Sequence, residues 1–210
     1  MKNIPVLVCF LALFSLALFA QTGERPRMVH TTEKSAIHIP PQEAPTALKV
    51  IFSNLGTSKT DLYNDAFGSV ISVNESLAVP FTPKSDSHIS QVQVAAQYQD
   101  GANEVHVSIY EGSGDIPETL LAGPVKVKNL PDFGTCCTLA AANFSPLAVS
   151  AGTKYWVVLG TPLTGTGSDF EGVWVEAVKP LVPIAINELG HWVQLNADSV
   201  GATEVLGTIP

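Results

Sequence analysis

The chain has 210 residues, 46% of them hydrophobic and only 14% charged, with 16 glycines, 15 prolines and three cysteines. Its formal net charge of −8, with no Lys/Arg cluster to override it, repels phosphate backbones and argues against a nucleic-acid partner. Sparse charge with plentiful Ser, Thr, Gly and Pro suits an exported β-protein better than a helical one.

Residues 1–20, MKNIPVLVCFLALFSLALFA, place one cation, Lys2, before an apolar run from Val6 to Phe19, with small Ala20 at its end. That is the layout of a cleaved secretory leader. The apolar core is short for a membrane anchor, which needs about 20 residues, and polar QTGERPR follows it directly. Val8 before Cys9 disfavours a lipoprotein signal. The expectation is a secreted chain, extracellular or periplasmic, with no stable membrane insertion once the leader is gone.

Residues 21–46 hold four prolines and no apolar period, so they read as an extended lead-in or a loosely attached edge segment. The domain is expected over 47–210. LKVIFSNLG opens it. DLYNDAFGSVIS, residues 61–72, is the one candidate for a short helix, and Gly68 weakens it. ISQVQVAAQY, residues 89–98, sets Val92, Val94, Ala96 and Tyr98 against Gln91, Gln93, Ala95 and Gln97. EVHVSIYEG, residues 104–112, sets Val105, Val107 and Ile109 against His106, Ser108 and Tyr110. The QDGAN between them predicts a hairpin. Further strands are predicted in 120–128, 138–146, 153–160, 172–178 and 190–196. Many short strands punctuated by Pro and Gly define an all-β fold, an antiparallel, jelly-roll-like β-sandwich. Trp156, Trp174 and Trp192 recur every 18 residues, which reads as three adjacent strands with an aromatic at one height.

In order along the chain, IFSNLG (51–56, with Asn54 and Gly56), LAVPFTP (77–83), ISQVQVAAQY, VHVSIYEGSGDIPETLLA and FSPLAVSAGTKYWVVL (144–159) resemble the choice-of-anchor R domain of bacterial surface proteins. The more specific parts are Gly-Thr-x-Tyr-Trp (152–156) and the run from Ile109 to Pro117. The resemblance covers roughly residues 50 to 196 and implies a secreted or surface-displayed noncatalytic β-sandwich. Members often carry a C-terminal sorting tail. This chain ends NADSVGATEVLGTIP, without an apolar helix or basic terminus, so a released protein is expected.

FGTCCTL offers Cys136 beside Cys137. Neither a redox motif, which needs two intervening residues at a helix start, nor a zinc site, which needs four ligands, fits. A vicinal disulfide is the favoured reading, with an intermolecular bond or two free thiols as alternatives. It would brace one loop only. No G-x-S-x-G elbow is present. The five histidines lack ligand spacing and read as solvated, and Asp169, Glu171 and Glu176 read as loop and edge acids. Hence no catalytic residues, no cofactor and no metal are expected.

The strongest functional alternative is a carbohydrate-binding module using exposed aromatics, since a ring offers apolar stacking area with a polar rim. Trp192 shares a face with Gln194 and Trp174 alternates with Val173 and Val175, so Trp192, Trp174 and Gln194 are the candidate contacts; burial of all three tryptophans is the competing reading. Trp156, within YWVVL, reads as core. The partner would be a glycan or another surface protein. A hydrolase with an unrecognised site stands as a further alternative.

Overall fold

The structure is a computed structural model and describes residues 28–30, 48–57, 62–161, 169–178, 183–196 and 200–210. The expected leader and most of the lead-in lie outside these residues. The described residues form fourteen strands and no helix, and every pairing between strands is antiparallel.

The smaller sheet orders β2 (Lys49–Ser53), β14 (Thr203–Thr208), β5 (Ser87–Val94) and β9 (Ala140–Val149). The larger one runs β6 (Ala96–Asp100), β11 (Glu171–Ala177), β3 (Tyr63–Ser72), β4 (Glu75–Phe81), β10 (Tyr155–Gly160), β7 (Glu104–Glu111) and β8 (Thr119–Lys128). β1 (Met28–His30), from the lead-in, lies beside β3, and the hairpin of β12 (Ile184–Glu188) and β13 (His191–Leu195) lies beside β4.

Alternation explains how the sheets meet. Ile89, Val92, Val94, Ala142 and Val205 of the small sheet pack against Leu77, Val79, Val107, Ile109, Val157 and Trp174 of the large one, all nearly without solvent contact. Phe52, Phe81 and Tyr155 form an aromatic chain across this core, with centroids 5.8 and 5.7 Å apart. A register shift between Ile89 and Gln91 turns Ile89 inward alongside Val92, although strict alternation would oppose them.

Four expectations change. The run 89–98 is two strands, because the chain crosses between sheets at Ala95; both halves keep their apolar face inward. The hairpin predicted at QDGAN does not form. Gly101 turns the chain with φ 79°, but β6 pairs with β11 while β7 pairs with β10 and β8. Over its described part the candidate helix 61–72 is instead β3, Tyr63–Ser72, where Gly68 lets the backbone of β11 approach: a Cβ there would lie 2.7 Å from the Trp174 carbonyl oxygen. The three tryptophans do not sit on adjacent strands, since β10 and β11 are separated by β3 and β4 and β13 hangs from β12.

β4 creates the platform for the site. Ala78 is opposite Val158 on one edge and Ala185 on the other, so β10 and the β12–β13 hairpin continue a single outer surface through it. Ala78, Trp156, Val158 and Ala185 form a small buried cluster on that outer face, against which Tyr110, Ile116 and Trp192 pack. Apolar outward positions thus gather a second, thinner core outside the sandwich.

Candidate ligand-binding site

A groove of about 340 Å³ opens on this outer face. Its floor comes from the outward positions of β7 and β10: His106, Ser108, Val158 and Gly160. Leu120 and Pro124 of β8 form one wall, while Asn187, Gly190 and Trp192 of the β12–β13 hairpin form the other. Tyr110 and Trp192 meet edge to face across it, with centroids 6.4 Å apart and planes at 68°.

Each feature has a local cause. Strand period 2 sends His106, Ser108 and Tyr110 outward together while Val105, Val107 and Ile109 enter the core. A register shift between β7 and β8, with Gly123 at φ 100°, brings Pro124 to the wall. The tight turn Leu189-Gly190 (φ 51° and 93°) closes the hairpin, and the Gly190 N–H donates to Asn187 Oδ1 at 2.9 Å. Trp156 seals the cluster beneath the groove, donating its indole N–H to the Gly112 carbonyl at 3.2 Å.

The polar lining is crowded and poorly hydrated. Ser76, Ser108, Thr161 and Asn187 are all buried. His106 Nε2 has neither solvent contact nor a hydrogen-bond partner. Burial, aided by the charge of Lys126 and opposed by Glu104, holds the His106 pKa below the ordinary imidazole value. Lys126 is itself engaged by Glu104 at 2.8 Å. No Asp or Glu is among the described residues that line the groove; those residues offer hydroxyls, an amide, an imidazole and two aromatic rings.

Of the expected contacts, Trp192 is half-buried and lines the groove. Gln194 lies on the same face but does not line it. Trp174 is corrected: it is 1% exposed and faces the inter-sheet core, its indole N–H donating to the Ala202 carbonyl at 3.1 Å. Its outward neighbours Val173 and Val175 are buried too, under a separate cluster, so neither face of β11 is wet. His106, read as solvated, is half-buried on the groove floor, with its Nε2 out of solvent. Asp169, just before β11, accepts from the Ala102 N–H, and Glu176 of β11 accepts from the Asn64 amide; neither lines the groove.

Cys136 and Cys137 are joined by a disulfide in a loop packed over β3 and β11. That loop is clamped by Gln97, whose amide bonds Gly134 and Thr135, and by the Tyr63 hydroxyl, which donates to the Thr138 carbonyl at 3.2 Å. Among the described residues no group of three or more His, Cys, Asp or Glu is placed to hold a metal ion, and no helix is long and apolar enough to cross a membrane. Comparison of the chain with protein-family models, curated proteins and solved structures finds no match.

Proposed function

We propose that this protein is a noncatalytic, exported β-sandwich that binds a saccharide in the Tyr110–Trp192 groove, serving envelope or extracellular interaction. One observation carries the reading: two aromatic rings stand over a floor of buried hydroxyls and an imidazole nitrogen without a partner. A sugar has the complementary chemistry, apolar C–H faces for the rings and a rim of hydroxyls for the polar groups. Export is supported by the leader pattern at residues 1–20, and a noncatalytic role by the resemblance to the choice-of-anchor R domain. Trp156 and Lys154 of the Gly-Thr-x-Tyr-Trp stretch bond to the Gly112 and Gly114 carbonyls of the Ile109–Pro117 run.

The test is a glycan array probed with the purified protein and its Trp192→Ala variant. Binding to a defined subset of glycans that the variant loses supports the reading. A blank array overturns it.

A further inference from the structure

We infer that the groove takes the terminal one or two units of a soluble glycan chain and rejects the flat face of a crystalline polysaccharide. This rests on the saccharide reading above and goes beyond it to the form of the ligand.

Ring geometry decides between the two forms. A crystalline polysaccharide presents a plane, and only rings lying in one plane can meet it together. Tyr110 and Trp192 stand at 68° with centroids 6.4 Å apart, so the edge of one is directed at the face of the other. They make a corner. A single pyranose can lie against one ring while its rim abuts the second; a sheet of chains cannot enter. The third aromatic of that outer surface, Trp156, is 1% exposed beneath the groove and extends no platform.

Size and polarity agree. A volume of about 340 Å³ stands at the small end of the range for ligand pockets, about 300–1,000 Å³. The polar groups lie within the corner, not along a track: buried Ser108 and the buried Nε2 of half-exposed His106 on one strand, buried Asn187 across from them, and buried Ser76 on β4. Hydroxyls on the rim of one sugar ring are the partners such a set requires. Groups of this kind left dry and unpaired penalise a ligand that lacks the matching hydroxyl. Leu120, 45% exposed on one wall, and Leu189, 76% exposed at the hairpin tip beyond the other, leave the mouth apolar. Residues of a longer chain would leave the corner over that apolar rim with little polar contact.

The experiment has two arms. In the first, tryptophan fluorescence follows titration with glucose, galactose, mannose and N-acetylglucosamine and with oligosaccharides of each up to the hexamer. In the second, pull-down is measured on microcrystalline cellulose and crystalline chitin. The expected result is saturable binding in one soluble series, with affinity that stops rising at the disaccharide, and no retention on either solid. Tyr110→Ala and Ser108→Ala should each weaken that binding about tenfold, the scale of one lost contact. Trp192→Phe keeps the packing on the cluster below, so its weaker binding reports the loss of ring area in a folded protein. Retention on a solid without binding of soluble sugars, or affinity that climbs through the hexamer, overturns the inference and leaves the saccharide reading standing. Failure to bind in both arms removes the saccharide reading itself.

Discussion

Asn54 shows how much one amide can organise. Its side chain donates to the Gly201 carbonyl at 3.0 Å and accepts from the Thr203 N–H at 2.7 Å, while its own N–H reaches the Thr203 carbonyl at 3.1 Å. It is 8% exposed, so the partners it serves are largely out of water. Asn54→Ala is therefore expected to cost about 1–3 kcal/mol, read as a lowered urea midpoint; an unchanged midpoint would refute this role. His106 carries a pH prediction. Its folded pKa lies below the unfolded value of 6.5 because burial disfavours the charged ring. Between those two values the unfolded chain binds more protons, so stability rises with pH there. As pH falls below about 6.5, stability should decline until the folded ring itself protonates, and His106→Gln should lose that part of the decline. Parallel stability-versus-pH curves for the two proteins would count against it. The outward orientation of His106 was legible in EVHVSIYEG. The burial of its Nε2 was not, because alternation along one strand carries no information about what packs around that face.

At the scale of elements, the same distinction separates what local pattern could and could not show. Asp100-Gly101 does bend the chain: the Asp100 carboxylate accepts from the Gly101 N–H, and Asp169 accepts from Ala102. But a bend does not choose a partner, and β6 and β7 leave it for different neighbours. Conversely Ile184-Ala185-Ile186 is too short to display a period, so β12 was missed although it builds a wall of the site. The hairpin it opens has a turn at odds with its own residues. Leu189 holds φ 51°, a left-handed conformation that costs a leucine about 1–2 kcal/mol, and its side chain is 76% exposed. Leu189→Asn makes the turn Asn-Gly, the pair best suited to this geometry. The variant should gain about 1 kcal/mol in stability, as read by thermal melting. A lowered melting point would show that Leu189 makes a stabilising contact at the hairpin tip.

For the whole molecule, composition and strand spacing were enough to identify an all-β antiparallel sandwich, because burial of alternating apolar residues needs two facing sheets whatever their order. Strand order was out of reach, since it depends on pairings distant in sequence. The last strand is the clearest case. ATEVLGT has the look of a trailing end, yet β14 lies between β2 and β5, with Val205 wholly buried and Leu206 1% exposed. Truncation after Ala202 should therefore abolish the cooperative thermal transition, not merely shorten a tail; a truncated chain that melts near the wild-type temperature would contradict this.

That position of β14 also governs when the protein can acquire its shape. Among the described strands β2 pairs with β14 alone, and β5 lacks one of its two neighbours until β14 arrives. Of the described strands, β14 is the last to leave the ribosome. Early strands must wait through synthesis of about 150 later residues, with long-range pairings that close slowly. For a chain exported as proposed here, the delay is an advantage: translocation needs an unfolded thread, and a nascent sandwich without its middle strand cannot lock prematurely on the wrong side of the membrane.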